Sequence, residues 1–424
     1  MTLQLHDALR GEVTTFAPIG GGPVGVYVCG ITPYDTGHLG HAFTYVHFDV
    51  LNRYLRHLGY EVRYVQNLTD VDDDMLRKAR EVGEDYRALG NRNVASFLGE
   101  MDALNWLRPD VYPRATEHIE PMQRLIAKLL ERGHAYLGAG SVFYDVASFP
   151  DYGALSRIPR DEMLPIANER GNVPDAPGKR DPLDFVLWQP SAPDEPSWDS
   201  PWGRGRPGWH IECSAMAMEY LGERFEIHGG GSDLVFPHHE SEIAQAEGAT
   251  GVRPFVEHWM HTGMVRHEGD KMSKSLGNLV LVRDLLPDYS AEAIRHYLLS
   301  HHFASACTFD ELRLAESARA VDALRHAVSV AAAAEEGMPP TPVAELREEF
   351  GAAMDRNLDT PAALTVLASL AGCATDPGCP DDVRAHAAAA VHELGESVLG
   401  LRLGGGAEVH RDENKPKAAR AHTG

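Results

Sequence analysis

No apolar run in this sequence approaches the roughly 20 residues that a membrane-spanning helix needs. The first residues, Met1 to Glu12, lack the charged-then-apolar plan of a secretory leader. Cysteine is scarce: Cys29, Cys213, Cys307, Cys373 and Cys379 are the only five among 424 residues. The number is odd and the spacings suggest no disulfide framework. In a reducing compartment, cysteines serve as ligands, nucleophiles or buried apolar side chains. A cytoplasmic location with no membrane partner is therefore expected. Positive charge is also short, with 39 Lys and Arg against 62 Asp and Glu and a formal net charge of −23. That excludes a surface coated broadly by nucleic acid, though not a local basic track. No internal repeat is present.

What remains is enough chain for two or three domains with a sizeable core. Gly25 to Gly30 reads as a short buried strand ended by glycine. A helix is predicted from about Gly40 to Leu58, with Val46, Phe48, Val50, Leu51 and Leu55 facing the core. Glu61 to Val65 reads as the next strand. This order predicts an α/β fold, a Rossmann-like parallel sheet with right-handed crossovers, whose ligands sit beyond the carboxyl ends of the strands. Residues 1–108 and 201–285 are expected to form its two halves. Residues 109–200, rich in proline and charged turns, read as an insertion. Residues 286–403 are alanine-rich with helical spacing, and 404–424 read as a disordered tail. Cys307, Cys373 and Cys379 are assigned to packing.

Four scattered residues could hold zinc: Cys29 at a strand end, Cys213 in Trp209–Cys213, and His238 and Glu242 in Pro237–Glu242. If the last segment is helical, His238 and Glu242 are four apart and share a face. Thiolate, imidazole and carboxylate all suit Zn²⁺. The plainer alternative is two buried structural cysteines beside a solvated helix face. His38-Leu-Gly-His41 lies where the first strand turns into its helix. Gly40 lets a nucleotide approach the backbone, the helix N-terminus favours phosphate, and two imidazoles can donate to its oxygens. Surface histidines would look the same. Lys271-Met-Ser-Lys274-Ser275 places two lysines on a glycine-bordered loop, suited to clamping a triphosphate or simply to being an exposed basic loop. Gly229-Gly230-Gly231 would admit a flat ring against the backbone, with Asp233 accepting from ribose hydroxyls; a flexible turn is the alternative.

Jointly and in order, these motifs resemble the class I aminoacyl-tRNA synthetases, specifically the cysteinyl enzymes, from about residue 20 to 400. Tyr27–Thr32, His38–His41, Asn67–Asp72, Gly205–Cys213, Gly229–His239 and Lys271–Ser275 carry the likeness. The resemblance implies a class I (HUP-type) catalytic domain with an insertion and a C-terminal helical bundle. It implies one Zn²⁺ per chain on Cys29, Cys213, His238 and Glu242. It makes His38, His41, Lys271 and Lys274 catalytic, and it places ATP, with Mg²⁺, against Gly40, Gly229–Gly231, Asp233 and Lys274. Gly30, Thr69 and Trp209 would form the cysteine pocket. The implied reaction activates L-cysteine with ATP to cysteinyl-adenylate, then transfers it to tRNA(Cys). The cysteinyl enzymes also carry a further C-terminal domain that reads the anticodon, whereas here the helical pattern stops near Leu403. A related ligase, which joins cysteine to the amine of glucosaminyl-inositol in mycothiol synthesis, resembles Gly30–Asp35 and, loosely, Glu169–Gly178. A small amine acceptor is therefore the alternative, and a non-catalytic paralogue a third reading.

Overall fold

The computed structural model describes residues 2–34, 37–272, 277–330 and 337–404, with the backbone alone for Asp270 and Lys271. The chain opens with an antiparallel hairpin, β1 (Gln4–Asp7) and β2 (Glu12–Thr15). Strand β3 (Val24–Ile31) follows, then helix α1 (Leu39–His57) and strand β4 (Val62–Leu68), as the sequence pattern predicts to within two or three residues. Helices α2 (Asp73–Val82) and α3 (Tyr86–Ala103) close this half. Asp72 caps the start of α2, and left-handed Gly83 ends it.

The insertion contains α4 (Ile119–Glu131), β5 (Ala135–Gly138), β6 (Ser141–Tyr144), α5 (Arg160–Glu169), β7 (Phe185–Pro190) and β8 (Gly205–Pro207). Its four strands form an antiparallel sheet in chain order. The expected boundary at residue 200 falls short of β8, which is still part of that sheet. At the other end, Val111 and Arg114 bridge in parallel to Val65 and Leu68, so the chain lines the edge of β4 before it leaves.

The second half brings α6 (Trp209–Leu221), β9 (Phe225–Gly231), α7 (Glu240–Thr250) and β10 (Val256–Thr262). The triple glycine, which could have been a flexible turn, is the end of β9 and is paired to β10. The main sheet runs β10-β9-β3-β4, all parallel. Chain order reverses between β3 and β9, the first half stepping outward to β4 and the second to β10. A doubly wound sheet opens its ligand crevice at such a reversal, past the strand ends.

Strand alternation divides the core in two. Val24, Val26 and Val28 of β3 pack with α1, while Tyr27 and Cys29 point to the opposite face, among residues of α4, α6 and α7. That parity sends Cys29 toward Cys213 and Glu242 rather than into the α1 layer. A small sheet follows from β11 (Val265–His267) and β12 (Asp270–Lys271), completed by β13 (Cys307–Thr308). Around it lie α8 (Val282–Leu285) and α9 (Ala291–Leu299). The chain then forms the bundle α10 (Glu311–Val330), α11 (Thr341–Asp355), α12 (Thr360–Thr375) and α13 (Asp381–Ser397). Among the described residues, no helix is long and apolar enough to cross a membrane.

Candidate active site and metal centre

Cys29, Cys213, His238 and Glu242 converge although up to 213 residues separate them in sequence. All four are buried. Cys29 ends β3, Cys213 projects from α6, and His238 and Glu242 flank the start of α7, where a kinked turn (Val235–His239) runs into the helix. Cys29 Sγ lies 3.7 Å from Cys213 Sγ and 3.6 Å from Glu242 Oε1. His238 Nε2 lies 3.1 Å from the same carboxylate oxygen. A tetrahedral zinc with ordinary bond lengths spaces its donors about 3.3–3.8 Å apart; these three separations lie in or near that range, and all four donor atoms fall within 4.8 Å of one another. Electrostatics agree. Burial, followed by neighbouring Cys213 and Glu242, pushes the Cys29 thiol well up, and burial likewise raises Glu242. Burial also holds His238 far below the ordinary imidazole range. Burial thus makes the anionic forms of Cys29 and Glu242 costly, a cost that a divalent cation between them would offset.

A further set of histidines surrounds the tetrad. His210 Nδ1 meets His238 Nδ1 at 2.9 Å, His228 Nε2 meets Glu242 Oε2 at 2.9 Å, and His239 Nε2 lies 3.3 Å from Cys29 Sγ. Sequence reasoning missed these three; their adjacency to Cys213, to the triple glycine and to His238 was the available signal. Trp209, at the first position of α6, stacks on the His238 ring with centroids 4.2 Å apart.

A cavity of about 1230 Å³ opens from this point. Cys29, Cys213, His238 and Trp209 wall one end, with Gly30 and Thr69 beside them. Gly30 has a structural duty as well: a Cβ there would fall 1.5 Å from Asn67 O, so glycine allows the ends of β3 and β4 to meet. Gly30 N also donates to Asn67 Oδ1, and Asn67 Nδ2 donates to Thr69 Oγ1.

His38, Gly40 and His41 line the same cavity at the N-terminus of α1. His38 is the N-cap: its Nδ1 accepts from Gly40 N, and His41 Nδ1 accepts from His38 N. The two rings stack 3.9 Å apart. With both Nδ1 atoms accepting, the neutral rings carry their protons on Nε2. Two N–H donors therefore sit at the positive end of a 19-residue helix, a ready anion site. Gly231 and Asp233 also line the cavity, and Asp233 pairs with Arg170 of the insertion at 3.4 Å. Gly229 and Gly230 do not line the cavity. The space beside Gly229 is filled by the Phe48 ring and that beside Gly230 by Leu234 and His239. Lys271 lies in β12, and Lys274 lies outside the described residues. The insertion closes the cavity through Glu169–Val173 and Lys179, whose ammonium burial lowers to about 8. Asp72, also on the wall, is pushed up to about 7 by burial and then by Asp74 and Asp73, against the Met75 N–H that it accepts.

A parallel sheet split by an insertion, with paired histidines at its first helix and a helical bundle behind, defines the class I synthetase fold. Solved structures agree on the fold. Mycobacterium tuberculosis methionyl-tRNA synthetase in complex with methionyl-adenylate matches with a TM-score of 0.62 at 17% identity, covering 89% of each chain. An Agrobacterium radiobacter K84 agnB2 LeuRS–tRNA–LeuAMS complex matches with a TM-score of 0.66 at 12% identity, covering 91% of this chain and 84% of that one. The family model of the class I (C) tRNA synthetase catalytic domain matches residues 15–319. The cysteine–tRNA ligase of Alkalilimnicola ehrlichii is 48% identical over 379 residues, covering 87% of this chain and 79% of that protein. That of Thioalkalivibrio sulfidiphilus is 50% identical over 376 residues, with the same coverage. The chain belongs to the cysteinyl-tRNA synthetase family.

Proposed function

We propose that the chain activates L-cysteine with ATP and passes the cysteinyl group to the 3′ end of tRNA(Cys). One observation carries the reading: Cys29, Cys213 and His238 of the tetrad line the same cavity as the His38–His41 helix N-terminus. A carboxylate oxygen of cysteine attacks the α-phosphorus of ATP, the bond to the β-phosphate bridge breaks, and pyrophosphate leaves. A terminal ribose hydroxyl of the tRNA then attacks the mixed anhydride, losing its proton as AMP departs.

The protein's part is placement and charge stabilisation. His38 and His41 donate from Nε2 to phosphate oxygens as charge develops, and the helix end adds its dipole. Lys271 and Lys274 are assigned to the triphosphate. Asp233 is assigned to the ribose, with Gly40 and Gly231 beside the nucleotide. Trp209, Thr69 and Gly30 wall the amino acid. Zn²⁺, when held by the tetrad, supplies a soft Lewis acid that favours a thiolate over the hydroxyl of serine, a distinction that pocket shape makes poorly.

Cysteine-dependent exchange of pyrophosphate into ATP tests the first step. Charging of tRNA(Cys), run in parallel with glucosaminyl-inositol, tests the second. Labelled cysteine on the small amine rather than the tRNA would overturn the acceptor assignment.

A further inference from the structure

We propose that the metal has a second, substrate-inaccessible position in this protein, formed by Cys29, His228, His239 and Glu242. The proposal rests on the reading that the tetrad facing the cavity binds a metal. The four donor atoms of this second set all lie within 4.8 Å of one another, as those of the first set do. The two sets share Cys29 and Glu242. Each shared residue is turned to both sides. Glu242 Oε1 faces His238 Nε2 at 3.1 Å, while Oε2 faces His228 Nε2 at 2.9 Å. Cys29 Sγ touches Cys213 Sγ on one side and His239 Nε2 on the other. His239 Nε2 is also 3.9 Å from Glu242 Oε1.

The hydrogen bonding of His239 suits a ligand. Its Nδ1 lies 2.8 Å from His261 Nε2. A proton on Nδ1, donated to His261, leaves Nε2 with the lone pair that coordination needs. His228 and His239 are fully buried, so neither pays a loss of solvent contact on binding an ion. One thiolate, two imidazoles and a carboxylate suit a borderline-soft divalent cation, Zn²⁺ or Co²⁺.

The positions differ in access. Cys213 and His238, which belong to the first set alone, line the cavity, as does the shared Cys29; His228, His239 and Glu242 do not. The inner set thus meets the cavity through Cys29 only, which shields a metal held there from a substrate sulfur. Because both sets use Cys29 and Glu242, one ion occupies either position but not both. The inner position would retain the metal without competence to bind cysteine.

Cobalt reports on both positions, because thiolate-to-cobalt charge transfer counts bound sulfurs. The full chain, freed of metal and given Co²⁺, is expected to bind one ion with a two-thiolate spectrum that changes when cysteine is added. Cys213→Ala/His238→Ala is expected to bind one Co²⁺ still, with about half the charge-transfer intensity and no response to cysteine. Adding His228→Ala and His239→Ala to that variant should abolish binding. A double variant with native circular dichroism and no cobalt overturns the proposal, as does a quadruple variant that keeps it. Where the double variant does not fold, Cys213→Ser, a one-atom change, serves instead: a one-thiolate spectrum indifferent to cysteine supports the inner position, and a cysteine-sensitive one overturns it. Failure of the unaltered protein to bind cobalt overturns the tetrad reading and this one with it, whereas cobalt bound by the unaltered protein and lost from a folded double variant overturns the inner position alone.

Discussion

The two ends of the cavity are built by opposite means. At the metal end, four donors come from a strand end and two helices, every one buried and each touching another donor or a histidine behind it. At the end proposed for the nucleotide, the described groups come from the first turn of α1 and the end of β9. A fit of a few tenths of an ångström to one ion demands packed interiors. A triphosphate that must enter, react and leave as pyrophosphate is better met by a helix terminus and a loop. Selectivity is thus placed in rigid parts and turnover in accessible ones.

The largest effect should come from breaking the rigid end. Cys29→Ser replaces a soft donor that touches both Cys213 and Glu242 of the tetrad. Cysteine-dependent pyrophosphate exchange is expected to fall by about 10³-fold, on the order of 4 kcal/mol, with loss of bound zinc in the same preparation. Unchanged exchange would remove the metal from the reading of the site. At the accessible end, His41→Ala removes one of two Nε2 donors and one half of the capping pair. A drop in kcat of about 10²-fold is expected, with zinc content and the KM for cysteine little changed, as for other single donors to a developing charge. Equal loss of zinc would show that the two ends are not separable.

The same contrast explains what was legible in the sequence. Elements with local signals came through: β3 from its apolar run, α1 from its stripe, β4 from its alternation. The His238–Glu242 pair could be placed because four residues make one helical turn. Cys29 and Cys213 could be joined to them only through family resemblance, because nothing local brings together residues 184 positions apart. The histidines behind the tetrad were invisible for the same reason: His228 reaches Glu242 only once β9 lies beside α7. Backbone freedom is the only local signal of the triple glycine, and it suggests a nucleotide contact or a turn, whereas Gly229 and Gly230 lie in β9 away from the cavity. The tertiary duty of the triplet, at Gly229, is to make room for a phenyl ring of α1.

That duty gives a third, smaller test, now of the frame joining the two ends. A Cβ on Gly229 would stand 2.0 Å from the Phe48 ring, with both residues buried between β9 and α1. Gly229→Ala should destabilise the fold by about 1–3 kcal/mol, the usual cost of overpacking, seen as a lower melting temperature. Gly229→Ala/Phe48→Leu, which returns space to the ring's site, should recover part of the loss. If Gly229 instead served only the nucleotide, the single variant would melt normally and raise the KM for ATP.

The smallest effect is expected at Asp72, on the cavity wall. Its side chain caps α2 by accepting from Met75 N at 2.7 Å, yet burial and the carboxylates of Asp74 and Asp73 raise its pKa from 3.8 to about 7. The folded state therefore holds a proton that the unfolded chain releases near pH 4. With more protons bound when folded, stability falls as pH rises from about 4 to about 7, and above that the full penalty of the charged form remains. Asp72→Asn keeps a capping side chain and cannot ionise. Its melting temperature should track the unaltered protein near pH 4 and exceed it by a few degrees at pH 8. Parallel curves from pH 4 to 8 would show that Asp72 ionises in the fold as it does in water. The crevice would then be wetter at Asp72 than its walls imply, and the division between a dry metal end and an open nucleotide end would have to be drawn closer to Cys29.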